Sequence, residues 1–189
     1  MKIGFDLDDV VFDSISGFVD EGISLGLIPS GTTPNDLEGK LEDQFCICDD
    51  DMKNLLNVEM YDKIEAFDEI VTDILRWMKQ GEEVFFVTAR TDKYTPGIEG
   101  VTANCLDRIG LLEGASGVHH IRSSKKHELC KDLGIDVFVD DMPHIIRLME
   151  GCVPHLYLKE SPQNTRVSDL KRWSWKEIRE EIDALRARA

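Results

Sequence analysis

Short apolar runs that alternate with helix-like stretches are the feature that most constrains the fold of this chain. Residues 2–5, 83–88, 118–121, 135–139 and 155–158 have the length and apolar character of buried parallel strands. Stretches with apolar residues at helical intervals lie between them, at 14–25, 67–79, 101–112, 126–133 and 145–150. This alternation predicts an α/β fold: a Rossmann-like parallel sheet with helices on both faces.

One segment interrupts the alternation. Pro29, Gly31 and Pro34 form a cluster of helix-breaking residues, and the sequence up to about Tyr61 is polar, acidic and made of short pieces. We interpret residues 18–65 as a small helical cap inserted after the first strand. Residues 1–17 and 66–189 then form the core, which ends in a helix that begins at the capping-box pattern of residues 174–177.

Acidic residues follow two of the predicted strands. Asp6, Asp8 and Asp9 come after the first strand, and Asp140 and Asp141 come after the run at 135–139. The carboxyl ends of parallel strands meet at one edge of a sheet, where open sheets bind ligands. Carboxylate oxygens are ligands that Mg²⁺ prefers, so the pattern predicts a metal site, although Asp is also common in ordinary turns.

Two further signals indicate phosphate binding at the same edge. Thr88 and Ala89 end the second strand, where a hydroxyl and backbone N–H groups could hold a phosphate oxygen. Lys125 and Lys126 stand at a helix start, where the helix dipole disfavours a cation unless an anion is nearby. The ordinary alternatives are a strand-terminal Thr, a solvated Arg90 and surface lysines.

The order of these motifs resembles that of the haloacid dehalogenase-like phosphatase superfamily. The matching residues are Asp6-x-Asp8-Asp9-Val10, Thr88, Lys126 or Lys125, and Asp140-Asp141. The resemblance implies that Asp6 is the nucleophile of an aspartyl-phosphate mechanism and that Asp8 is the acid/base. It further implies that Asp6, Asp8 through its backbone carbonyl, and Asp140 or Asp141 hold Mg²⁺, while Thr88, Ala89 and one lysine bind phosphate.

The chain is similar to the deoxyribonucleotidase-like branch of that superfamily in the length of the cap segment, in the motifs at 6–10 and 87–90, and in Tyr157-Leu158-Lys159 before Asn164. This likeness implies a 5'-nucleotidase acting on (deoxy)nucleoside monophosphates. Two alternatives stay open: a phosphatase for another small metabolite such as a sugar phosphate, and a non-catalytic module that binds phosphate or metal.

Charge and cysteine content narrow the other classes of partner. A formal net charge of -15 repels the phosphodiester backbone, so long nucleic acid is not an expected partner. Five scattered cysteines and a strand that follows Met1-Lys2 directly favour reduced thiols in a cytoplasmic protein. No apolar run reaches the roughly eighteen residues of a membrane span. The sequence predicts no oligomeric state.

Overall fold

A six-stranded parallel sheet organises the chain in the computed structural model, which describes residues 1–92 and 95–188. The strands are β1 (Lys2–Phe5), β2 (Glu83–Thr88), β3 (Gly117–His120), β4 (Val137–Asp140), β5 (His155–Lys159) and β6 (Arg172–Trp173). Their spatial order is β3-β2-β1-β4-β5-β6, and each neighbouring pair is parallel. The predicted fold class is confirmed.

Nine α-helices are described. They are α1 (Ser14–Ser24), α2 (Leu41–Phe45), α3 (Asp49–Leu55), α4 (Val58–Lys63), α5 (Asp68–Lys79), α6 (Ile98–Arg108), α7 (Lys126–Leu133), α8 (Pro143–Met149) and α9 (Trp175–Arg186). Within the described residues, none of these helices has the length and apolar character needed to cross a membrane. All five cysteines lie in this part of the chain and are free thiols.

Helices cover both faces of the sheet because side chains of adjacent strand residues point to opposite sides. Phe5 and Phe86 pack on one face with Trp77 of α5 and Ile178 of α9. Phe138 packs on the other face with residues of α7 and α8. Each fully buried side chain of this size stabilises the fold by roughly 1.5–3 kcal/mol.

A third apolar cluster lies in the segment between β1 and α5. Its buried members are Ile15, Val19, Ile28, Leu37, Leu41, Ile47 and Leu55. A segment with its own apolar cluster is the observation that supports the predicted division into core and cap. The division itself stays a prediction, and the proposed boundary between residues 17 and 18 falls inside α1.

Several element ends differ from the sequence prediction. Helix α6 begins at Ile98 rather than at 101, directly after Gly97, whose left-handed φ of 88° supplies the turn into the helix. Strand β6 was not predicted because two residues show no periodicity. Helix α1 begins at Ser14, and the Asp13 side chain caps it by accepting from the backbone N–H of Ser16.

Candidate active site

The predicted acidic residues meet at the centre of the sheet. Asp6 follows β1, and its backbone N–H donates to the carbonyl of Val139 at 3.0 Å, which ties it to the neighbouring strand β4. Carboxylate oxygens of Asp6, Asp140 and Asp141 lie within 4.8 Å of one another, and all three residues are buried. Two strands that are far apart in sequence thus bring three carboxylates into one cluster.

Lys126 supplies the positive charge of this cluster. Its Nζ lies 2.9 Å from Asp6 Oδ1 and donates to Asp140 Oδ2 at 2.9 Å, with only 1% of the residue exposed. Burial acts to lower the pKa of Lys126, but the charges of Asp140 and Asp6 outweigh it and raise the pKa. Lys125 is half exposed and pairs with Glu128 at 2.5 Å, so only Lys126 of the two predicted lysines belongs to the cluster.

One cation does not balance the three carboxylates. Burial, opposed by Lys126 and reinforced by Asp140, raises the pKa of Asp6 to about 7. Burial and the neighbouring carboxylates raise the pKa of Asp141 well above its usual value. Asp6 Oδ1 is buried and, despite its ion pair with Lys126, accepts no well-aligned hydrogen bond from the residues that the structure describes. Such a set of buried oxygens fits a bound divalent cation.

The two acids after β4 have different surroundings. Asp140 Oδ1 accepts from the backbone N–H of Met142 at 2.8 Å, and Asp140 Oδ2 accepts from Lys126. Asp141 lines the active-site cavity, whereas Asp140 is fully buried and does not. Asp141 is therefore the acid of this pair that a ligand in the cavity can reach.

Asp8 is held by two side chains. Arg90 Nη2 donates to Asp8 Oδ1 at 2.7 Å, its Nε lies 3.2 Å from both carboxylate oxygens, and the Ser14 hydroxyl donates to Oδ1 at 2.5 Å. Burial acts to raise the pKa of Asp8, but the charge and hydrogen bonds of Arg90 outweigh it and lower the pKa. The structure thus holds Asp8 as an anion.

Arg90, for which the sequence left a solvated side chain open as the ordinary alternative, is buried in the structure. Only 4% of Arg90 is exposed. Its guanidinium carbon lies 4.5 Å from the ring centre of Tyr61 and 5.1 Å from that of Phe12. Phe12, which follows β1, and Tyr61, in α4, are the aromatic residues that could have indicated a buried arginine. Their proximity to Arg90 arises only in the folded chain.

The predicted phosphate-binding residues at the end of β2 divide in two. Thr88 is fully buried, and its hydroxyl accepts from the backbone N–H of Arg90 at 3.2 Å. Ala89 lines the active-site cavity. Ala89 thus shares the cavity with Asp6 and Asp141, whereas Thr88 does not line it, and the contact of either residue with phosphate stays a prediction.

Residues at the end of β5 and in the loop after it form hydrogen bonds with the acidic loops that follow β1 and β4. Asp9 has a left-handed φ of 53°, and its carboxylate accepts from the Ser161 hydroxyl at 2.6 Å. Lys159 Nζ donates to the carbonyl of Asp9 at 2.8 Å, and Asn164 Nδ2 donates to the carbonyl of Asp141 at 2.8 Å. Lys159 and Asn164 entered the sequence prediction only through a family resemblance, with no role assigned, and Ser161 did not enter it, because nothing in their local pattern connects these residues to residues 9 and 141.

The active-site cavity has a volume of about 290 Å³. Its floor includes Asp6, Asp8, Asp141 and Lys126. Apolar side chains of the predicted cap cover the other side: Phe18, Leu41, Met52, Leu55, Leu56 and Tyr61. The carboxylates and Lys126 therefore share the cavity with these apolar side chains, which we call the apolar roof.

Solved structures of haloacid dehalogenase-like hydrolases share this fold. A hydrolase of that kind from Streptococcus pneumoniae superposes with a TM-score of 0.62 and 13% identity, covering 97% of both chains. A predicted phosphoglycolate phosphatase from Haemophilus somnus gives 0.62 and 14%, covering 97% of this chain and 96% of the other.

A third similar structure carries a different functional name. Protein Tyrosine Kinase A of Mycobacterium tuberculosis gives a TM-score of 0.69 at 12% identity, covering 96% of this chain and 97% of the other. No protein-family model matches the sequence, and no curated protein matches it. At these identities the likenesses establish the fold, and the function rests on the site.

Proposed function

We propose that the chain is a Mg²⁺-dependent phosphomonoesterase that acts through an aspartyl-phosphate on Asp6. The observation that carries this proposal is the buried cluster of Asp6, Asp140 and Asp141 around Lys126, at the floor of a cavity. A carboxylate attacks an anionic phosphoryl group only where cations offset the repulsion, and this cluster combines a nucleophile with a fixed cation.

The first step transfers the phosphoryl group to the protein. A carboxylate oxygen of Asp6 bonds to phosphorus while the bond from phosphorus to the ester oxygen breaks, and Asp8 gives its proton to that oxygen. In the second step a water oxygen bonds to phosphorus, Asp8 takes the water's proton, and the bond to Asp6 breaks to release phosphate. Asp8 must therefore be protonated at the start of the first step and anionic at the start of the second. Its contacts with Arg90 and Ser14 correspond to the anionic form.

Lys126 and the backbone around Ala89 bind the phosphoryl oxygens in this proposal. Asp6 and Asp141 would hold the metal with their carboxylates, and Asp8 with its backbone carbonyl. A bound Mg²⁺ neutralises negative charge and helps to align the attacking and leaving oxygens. Asp140 would position Lys126 and would not hold the metal directly, since its two carboxylate oxygens accept from Lys126 and from the backbone N–H of Met142.

A nucleoside monophosphate is the substrate that we propose within this class. The apolar roof, with Phe18 and Tyr61 among its members, suits a flat and weakly polar group such as a nucleobase. The hydroxyls of a sugar phosphate would need polar partners, and Glu42 is the one charged residue among the described cap residues that line the cavity. A reducing cytoplasmic location also stays a proposal.

The central experiment compares Asp6→Asn with Asp107→Asn. Asp107 is an exposed acid on α6, so its change controls for the loss of a carboxylate. With Mg²⁺ and a panel of nucleoside and sugar phosphates, we expect wild type and Asp107→Asn to release phosphate and to form a phosphoprotein visible by mass spectrometry. Asp6→Asn should do neither.

Three results would contradict parts of the proposal. Phosphate release that survives in Asp6→Asn excludes the aspartyl-phosphate mechanism. A wild-type protein that binds phosphate esters with Mg²⁺ but hydrolyses none supports the non-catalytic alternative, and a preference for sugar phosphates excludes the nucleotidase.

A further inference from the structure

A second cleft opens beside Asp8, and we refer to it as the side cleft. It has a volume of about 730 Å³. Its polar lining consists, apart from Asp8 and His144, of Arg90, Thr91, Thr95, Arg122, Ser123 and Ser124. The side cleft and the active-site cavity share Asp8, Tyr61 and Ala89 as lining residues, so a ligand bound in one can extend into the other.

The charge of the side cleft is opposite to that of the whole chain. Among the described residues that line it, Asp8 is the one acid, and Arg90 already neutralises it. Arg122 adds a positive charge for which the described residues provide no ion pair, in a chain with a formal net charge of -15. An anion therefore finds local attraction here.

Unsatisfied hydrogen-bonding atoms point to the same conclusion. Arg90 Nη1 and Thr91 Oγ1 are buried and lack a hydrogen-bond partner among the described residues. Buried polar groups are nearly always paired, so two such atoms in the wall of one cleft call for an explanation. The rings of Tyr61 and Phe12 and the contact with Asp8 hold the Arg90 guanidinium in place. An oxyanion in the side cleft would give these atoms an acceptor.

We propose that the side cleft binds a second oxyanion, a carboxylate or a further phosphate, carried by the leaving group of the substrate. Arg122 and Arg90 are the residues that recognise it, with Thr91 and Ser123 as hydrogen-bonding partners. This inference rests on the proposed function, because it takes the group over Asp6 to be the phosphoryl group that is transferred. It extends the proposed substrate class beyond nucleoside monophosphates: phosphomonoesters whose leaving group carries a second anionic group should be the better substrates.

The test uses pairs of esters that differ in the second oxyanion. Phosphoglycerate is compared with glycerol phosphate, and a nucleoside bisphosphate with the corresponding nucleoside monophosphate, which separates a carboxylate from a phosphate. In at least one pair, we expect the ester with two anionic groups to have the higher kcat/KM. The increase should be about tenfold or more, which is the contribution of a charge-assisted hydrogen bond. Equal values within both pairs would overturn the inference.

Variants of Arg122 locate the effect. Arg122 is exposed, so Arg122→Gln should fold normally. It should remove the preference and leave kcat/KM for the esters with one anionic group unchanged. Arg122→Lys should keep part of the preference, and Arg188→Gln, a change of another exposed arginine at the chain's end, should keep all of it. A preference that survives in Arg122→Gln would assign it to another site and overturn the inference.

Binding measurements separate this inference from the proposed function. Asp6→Asn, titrated calorimetrically with each pair of esters in the presence of Mg²⁺, reports binding without turnover. Suppose that wild type hydrolyses no ester, but Asp6→Asn binds the members with two anionic groups more tightly and the added change Arg122→Gln removes this preference. The side cleft is then an oxyanion site, and the phosphatase proposal fails. If wild type hydrolyses esters and this variant shows no preference, the phosphatase proposal stands and the inference fails.

Discussion

Lys125 and Lys126 are neighbours in the chain but lie in contrasting surroundings. Lys126 is buried between Asp6 and Asp140, whereas Lys125 pairs with Glu128 at the surface. A surface pair contributes about 0–1 kcal/mol, while removing one partner of a buried pair costs about 3–5 kcal/mol because a charge is left without compensation. Two adjacent residues of one type therefore differ sharply in their effect on stability.

We predict that Lys126→Met lowers the free energy of unfolding by about 3–5 kcal/mol and abolishes phosphate release. Lys125→Met, the matched control, should change the free energy of unfolding by no more than about 0.5 kcal/mol. Urea unfolding at pH 8 without divalent metal measures both. Equal midpoints for the two variants would contradict the buried ion-pair network.

Single site residues could be predicted where they follow a strand in a recognisable motif. Asp6 and Lys126 were found this way because each comes directly after an apolar run or opens a helix. Arg90 was not, because a charged residue after a strand is ordinarily solvated, and only the packing of Phe12 and Tyr61 buries it. Its pairing with Asp8 depends on a contact between residues 82 positions apart.

At the scale of elements, the close approach of β1 and β4 determines where the acids stand. Gly4 pairs with Phe138 across these strands, and a Cβ at Gly4 would lie 2.6 Å from Cδ2 of the Phe138 ring. That ring is fully buried, so it has little room to move. The absence of a side chain at residue 4 allows the two acidic loops to converge.

We predict that Gly4→Ala destabilises the protein by about 1–3 kcal/mol, since added atoms in a packed core force neighbours out of their preferred positions. Gly100→Ala is the control, because Gly100 is exposed in α6 and a Cβ there meets nothing within 4 Å. That change should stabilise by about 0.5–1 kcal/mol. Thermal unfolding compares the two, and a loss of stability of the same size in both would contradict this packing argument.

Strands and long helices were predictable because their apolar periodicity extends over several residues. Strand β2 and helix α7 have the bounds expected from the sequence. The segment between α1 and α5 could be described only as short helical pieces, since α2 and α3 contain 5 and 7 residues. Such short helices derive their stability from tertiary contacts, which local patterns do not contain.

At the scale of the whole molecule, the acidic cluster couples stability to pH and metal. The pKa of Asp6 rises from 3.8 in the unfolded reference to about 7 in the folded protein. The folded state therefore binds more protons than the unfolded state between these values, and stability falls as pH rises through that window. A bound cation would oppose this loss by favouring the ionised carboxylates.

We predict that, with a chelator present, Asp6→Asn is more stable than wild type at pH 8 and that this difference shrinks by about 1.4 kcal/mol at pH 6. Comparing the two proteins at each pH cancels the titration of groups that they share, including the histidines. With saturating Mg²⁺ at pH 8 the order should reverse. Calorimetric melting temperatures measure the effect, and a difference that does not depend on pH would contradict the raised pKa of Asp6.

Asn164 shows how far along the chain the site extends. Its amide nitrogen donates to the carbonyls of Asp141 and Lys159, while Lys159 in turn donates to the carbonyl of Asp9. These bonds fix both acidic loops from a segment that lies beyond Asp140-Asp141, the last of the acidic motifs. Sequence motifs alone would delimit the functional unit at residue 141, but the smallest piece of chain that holds those motifs in register reaches at least to residue 164.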